Sequence, residues 1–142
     1  MLLEYGADPN KRYFFGAEIN LASDTEATSL LLSFGANTET RDRGGMTPLM
    51  RAARHSLGTE QVLLLLSYGA DVNAMTDARN DYRTVLHYAV LSGNIVLVNL
   101  LLKQGAKIDK KAPQTEPDRP SPLSLAILRG DPALVRLLLE NG

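Results

Sequence analysis

The sequence predicts an all-α fold, a solenoid of stacked helix-turn-helix units joined by β-hairpin-type loops. Two observations point to it. A leucine clump with glycine behind it recurs along the chain: Leu2-Leu3-Glu4-Tyr5-Gly6, Leu30-Leu31-Leu32-Ser33-Phe34-Gly35, Leu64-Leu65-Leu66-Ser67-Tyr68-Gly69, Leu100-Leu101-Leu102-Lys103-Gln104-Gly105 and Leu137-Leu138-Leu139-Glu140-Asn141-Gly142. The glycines are separated by 29, 34, 36 and 37 residues, a period typical of helical repeat arrays. Helix-start signals also precede the clumps. Thr47-Pro48 and Ser121-Pro122 each place a capping hydroxyl before a proline, whose fixed φ and missing N–H suit the first helical position.

Taken in order, the chain enters near the end of a unit (partial repeat, 1–10) and continues through repeats at about 11–40, 41–73, 74–109 and 110–142, all within a single domain 1–142. This reads as a slice of a longer array. The second helix of each unit begins at a capping side chain, at Thr59-Glu60, Asn94 and Asp131-Pro132. Its apolar residues follow at i, i+3, i+4, as in Leu97, Leu100, Leu101, so one broad face is buried. Gly6, Gly35, Gly69 and Gly105 then stand where a chain leaving a helix turns left-handed. The first helices carry Ala52-Ala53, Ala89-Val90 and Ala126-Ile127 at their middles, small enough for close helix approach. One unit cannot bury its own stripe, so stability is expected from neighbours in the stack.

Composition narrows the function. The chain has 15 basic and 16 acidic residues, a net charge of −1, and so no electrostatic footprint for nucleic acid or an anionic membrane. It contains no cysteine, which excludes disulfides, thiolate catalysis and sulfur-ligated zinc, and points to an intracellular protein, cytoplasmic or nuclear. The start Met1-Leu2-Leu3-Glu4 lacks the charged and apolar stretches of a signal peptide, and no apolar run approaches the ~20 residues that span a bilayer. The two histidines lie 32 residues apart and form no metal-ligand spacing. The serines sit in caps and helix ends, and Gly44-Gly45 lacks the setting of a phosphate loop. No cofactor, metal or catalytic residue is assigned.

Residues 42–73 carry a family resemblance. Asp42-Arg43-Gly44-Gly45-Met46-Thr47-Pro48-Leu49-Met50-Arg51-Ala52-Ala53 resembles the ankyrin-repeat pattern D-x-x-G-x-T-P-L-H-x-A-A except at the histidine, and Leu64 to Asn73 resembles its L-L-L-x-x-G-A-D-x-N ending. Thr84-Val85-Leu86-His87-Tyr88-Ala89 and Ser121-Pro122-Leu123-Ser124-Leu125-Ala126 continue it. Residues 11–40 depart most: Phe14-Phe15-Gly16-Ala17 replaces Thr-Pro-Leu-His, which predicts an irregular or shortened first helix. Met75 to Arg83 and Lys110 to Pro120 are longer than the family's hairpins and read as exposed loops.

The resemblance implies a non-catalytic module that binds a partner protein or peptide in the groove formed by hairpin tips and first helices. Its variable positions correspond here to Tyr13, Leu21 and Ala22; to Arg43, Gly44, Met46, Arg54 and His55; to Asn80, Asp81, Arg83, Leu91 and Ser92; and to Pro117, Asp118, Pro120, Leu128 and Arg129. Arg51 and Tyr88 share one repeat position beside this face, with Tyr88 read either as a groove residue or as packing between first helices. Aromatic, Met and Arg side chains are enriched at interface centres. The arginines among them imply a partner with acidic groups. His87 fills the family's structural histidine position, and Asn73 matches the turn asparagine that asparaginyl hydroxylases modify in such repeats. Two further roles fit the same resemblance: a substrate-recruiting or regulatory domain of a larger enzyme or ubiquitin ligase complex, and a membrane-skeleton linker.

Overall fold

The computed structural model describes residues 2–12, 16–55, 58–109 and 119–142. Eight α-helices occur among them: α1 (Glu18–Leu21), α2 (Thr25–Ser33), α3 (Pro48–Arg54), α4 (Thr59–Ser67), α5 (Val85–Ser92), α6 (Ile95–Lys103), α7 (Pro122–Arg129) and α8 (Pro132–Glu140). They form four antiparallel pairs, the odd-numbered helix of each pair leading into the even-numbered one. The odd helices line up side by side, α3 between α1 and α5 and α7 beyond α5, while α2 packs on α4 and α6 on α8. The result is an all-helical stack without a sheet among the described residues.

Helix starts follow the caps. Thr47 Oγ1 accepts the Met50 N–H, Ser121 Oγ the Ser124 N–H at 3.1 Å, Asn94 Oδ1 the Leu97 N–H at 3.0 Å, and Asp131 Oδ1 the Leu134 N–H at 3.2 Å. One expected cap differs. Thr59 is the first residue of α4, and its N-cap is Gly58, which supplies no side chain. The reason is steric: a Cβ on Gly58 would lie 2.0 Å from the Ala52 carbonyl oxygen. The helix-ending glycines behave as the spacing predicts, with φ near +90° at Gly6, Gly35, Gly69 and Gly105.

The core runs along the stack rather than forming one centre. Val62, Leu65, Leu97, Val98, Leu101, Leu134 and Leu138 from the second helices are buried, with Leu49, Ala53, Leu86, Ala89, Val90 and Ala126 from the first. The irregular unit is indeed shortened, since α1 has only four residues. Its N-cap Ala17 has no capping hydroxyl; the buried Asn20 three residues on accepts the Ala17 N–H at 3.0 Å and donates to the Thr40 carbonyl at 2.8 Å.

The insertion from Met75 to Arg83 is ordered by its own main chain. Met75 and Thr84 form an antiparallel bridge, Thr76 N–H donates to the Arg83 carbonyl at 2.9 Å, and Ala78–Asn80 makes one 3-10 turn. Of the second long loop, 110–118 lies outside the described residues, as does Tyr13; the expectations for Tyr13, Pro117 and Asp118 therefore have no structural counterpart.

Candidate functional site

The hairpins and first helices bring most of the sequence-predicted residues onto one side of the stack. Consecutive units place Arg51, Tyr88 and Leu125 at one helical position, Arg54, Leu91 and Leu128 at a second, and His55, Ser92 and Arg129 at a third. Arg54, His55, Leu128 and Arg129 are exposed, Leu91 is half-buried, and Leu128 shows 77% of its surface. Leu21 at the other end is exposed as well, whereas Ala22 uses its carbonyl to accept from Gln61 Nε2 at 2.9 Å.

Hairpin carboxylates orient the arginines. Arg51 Nη1 lies 2.8 Å from Asp42 Oδ2, and the other oxygen of Asp42 accepts the Gly44 and Met46 N–H groups at 2.9 and 3.0 Å. Arg83 and Arg119 both reach Asp81, at 3.1 and 3.0 Å. Arg129 Nη1 donates to the Leu91 carbonyl at 2.7 Å, tying α7 to the end of α5. A partly exposed guanidinium in such a pair is positioned more than it is stabilised, because solvent screens the attraction. These contacts therefore fix the direction of the planar donors.

Two residues expected on the face lie beneath it. Met46 is 4% exposed, its main chain pairing with Asp42 across the hairpin and its side chain joining the core, and Arg54 Nη1 lies 3.9 Å from its sulfur. Tyr88 is also 4% exposed, so its ring packs between first helices. Its hydroxyl is buried with no hydrogen-bond partner among the described residues, and burial raises its pKa against the opposing pull of Arg83 and Arg54. Gly44 and Asn80 are engaged with each other, Asn80 Nδ2 donating to the Gly44 carbonyl.

His87 lies in the stack interior. Its Nδ1 accepts the Thr84 N–H at 3.0 Å, and a main-chain hydrogen bond links the ring to Pro120 in the next unit. Burial lowers its pKa from 6.5 to about 4, so it is neutral at physiological pH and unsuited to acid-base work on an exposed face. Asn73 is equally structural: Nδ2 donates to the Gly105 carbonyl at 3.0 Å and Oδ1 accepts the Lys107 N–H at 2.9 Å. Asn10 makes the same pair of bonds to Gly35 and Asn37, and Glu39 takes the Asp71 N–H at 2.8 Å.

Sequence reasoning missed Arg12, Arg41 and Arg79. Arg41 Nη1 donates to the carbonyls of Gly45 and Met75, and Arg12 and Arg79 donate to those of Arg41 and Arg43 at 3.1 and 3.0 Å. Arg41 stands next to Asp42 and Arg79 two residues from Asp77 and Asp81, a signal the sequence offers for those two but not for Arg12. No group of three or more His, Asp or Glu suited to a metal occurs among the described residues, and no described helix is long and apolar enough to cross a membrane.

Comparison with known proteins agrees with this architecture. A family model of ankyrin repeats, three copies long, matches residues 1–76, 17–112 and 58–142. The chain is 35% identical over 112 residues to a putative palmitoyltransferase, ZDHHC13, of Danio rerio, covering 76% of this chain and 17% of that protein. It is 38% identical over 108 residues to protein glp-1 of Caenorhabditis elegans, covering 70% and 8%, and 35% identical over 97 residues to the E3 ubiquitin-protein ligase KEG of Arabidopsis thaliana, covering 68% and 6%. The chain thus spans less than a fifth of the length of each of these relatives. Ankyrin repeats are generally protein-interaction modules. By its period, its helix pairs and its match from end to end, this chain belongs to the ankyrin-repeat family.

Proposed function

We propose that the chain is a non-catalytic module that holds a partner protein or peptide against the face made by the hairpins and first helices, with Arg43, Arg51, Arg54, His55, Arg83, Leu91, Leu128 and Arg129 as contact residues. The observation that carries this reading is the arrangement of Arg51, Arg54, Arg83 and Arg129 around the apolar Leu91 and Leu128 on adjacent first helices. Apolar anchors supply area, and oriented guanidinium groups supply direction and choice of partner. The partner is expected to present acidic side chains. A chain of net charge −1 concentrates its arginines here, which favours an acidic peptide over nucleic acid.

The test is affinity capture with Arg54→Ala, Arg83→Ala and Leu91→Ala combined. Loss of the captured partner, with the helical circular dichroism and melting curve unchanged, supports the face. Undiminished capture by a folded variant removes it.

A second reading is favoured by the relatives: two of those compared are enzymes of which this region matches a small part, one by name a palmitoyltransferase and one a ubiquitin ligase. In that setting the face delivers substrate to a catalytic domain elsewhere in a longer protein. Asn73 remains the residue proposed for hydroxylation; because both ends of its amide are bonded to the next unit, the turn has to open for an enzyme to reach it. Mass spectrometry of the native peptide reads this as one added oxygen, and its absence excludes the modification.

A further inference from the structure

The tips of the hairpins enclose a cleft of about 450 Å³ lined by Arg12, Arg41, Asp42, Arg43, Asp77 and Arg79. Among the described residues Arg12 and Arg41 form no ion pair, Arg79 pairs only with Asp77 at 3.9 Å, and all three donate to main-chain carbonyls. Carbonyl bonds hold a guanidinium in place without cancelling its charge. Asp42 is already committed to Arg51 and to two main-chain N–H groups. Glu39, on the other side of Arg12 and Arg41, gives an oxygen to the Asp71 N–H. With Asp42 paired to Arg51, the guanidinium groups of Arg12, Arg41 and Arg79 stand against one further carboxylate of the lining, Asp77, and main-chain bonds hold all three before any ligand arrives.

We propose that this cleft receives a phosphorylated side chain of a partner protein. A phosphoryl group brings close to two negative charges and three acceptor oxygens, and it matches forked, pre-positioned arginine donors better than a single carboxylate does. The site rests on the reading of the chain as an interaction module; it shares Arg43 with the helix face but is built on Arg12, Arg41 and Arg79, which that face does not use. Arg41 builds the cleft from within by linking two units, while Arg12 and Arg79, both exposed, close it from either side.

The experiment is a heteronuclear NMR titration of the chain with a short glycine-rich phosphoserine peptide, run beside the unphosphorylated peptide, its glutamate counterpart, inorganic phosphate and phosphatidylserine vesicles. The expected result is saturable shifts at the Gly45 and Arg79 amides with the phosphopeptide, weakened roughly tenfold or more in R12Q/R79Q. The same variant should keep its wild-type melting profile. The Arg54→Ala, Arg83→Ala and Leu91→Ala combination should leave the titration unchanged, which separates this cleft from the helix face. The proposal is overturned by equal binding of the glutamate peptide, by phosphate or vesicles matching the phosphopeptide, by shifts confined to the helix face, or by undiminished binding in R12Q/R79Q.

Discussion

The Nδ1 atom of His87 accepts the main-chain N–H of Thr84 at 3.0 Å, three residues back at the start of the same helix. The ring's other nitrogen is thereby the protonated one, and it donates to Pro120 of the following unit. The same position in the first unit is Asn20, which bridges Ala17 and Thr40 in the same sense. In the second unit it is Met50, buried and apolar, and the link between units falls instead to Arg41, which bridges Gly45 and Met75. One stitch between neighbours is thus made by three different side chains.

His87 makes stability depend on pH. Its folded pKa, about 4, lies below the 6.5 of an exposed imidazole, so the unfolded chain binds the proton first. The contribution is complete above about pH 6.5 and is lost as pH falls toward 4, a change on the order of 3 kcal/mol. Urea unfolding at pH 7 and pH 4.5 measures it, and a His87→Asn variant should flatten the dependence over that window.

Asn73→Ala removes both bonds from the turn to Gly105 and Lys107. These groups are partly exposed, so water recovers part of the loss and the expected cost is about 1–2 kcal/mol. A lowered urea midpoint with an unchanged slope is the predicted signature.

At Gly58 a methyl group would meet the Ala52 carbonyl oxygen at 2.0 Å although the local φ of −81° is ordinary. Gly58→Ala should therefore destabilise the chain by about 1–3 kcal/mol through a clash and not through backbone strain. Thermal melting reads it. Thr59→Ala, the substitution that removes the cap expected from sequence, should cost much less.

Val90 and Ile127 occupy the same helical position in successive units, yet they are 0% and 60% exposed. Val90→Asp buries an unpaired charge and should cost about 3 kcal/mol or more, whereas Ile127→Asp should stay within about 0.5 kcal/mol. Chemical denaturation of the two variants compares them directly; equal costs would contradict the packing order of the stack.

Much of this fold was legible because the signals repeat. The glycine turns, the Thr-Pro and Ser-Pro starts and the leucine stripes each specify one local structure, and agreement between units removes ambiguity. Gly58 was not legible, since its requirement comes from the carbonyl of a residue in the preceding helix. On the candidate face, Arg54, Leu128 and Arg129 could be placed from helical position alone. Met46 and Tyr88 could not, because burial in a hairpin or between helices depends on what lies across from them. Arg12, Arg41 and Arg79 escaped notice for a related reason: their significance lies in contacts across units, with main-chain carbonyls as partners.

The central claim is that partners dock on the first-helix face and not on the opposite side formed by the second helices. It is tested most directly by photo-crosslinking in cells, with a reactive side chain placed at exposed Leu128 on the first-helix face or at exposed Leu63 on α4. The account predicts that Leu128 yields a specific crosslinked partner that disappears when Arg54 and Arg83 are replaced by alanine, while Leu63 yields none. The same partner captured from Leu63, or from Leu128 regardless of those arginines, would contradict it.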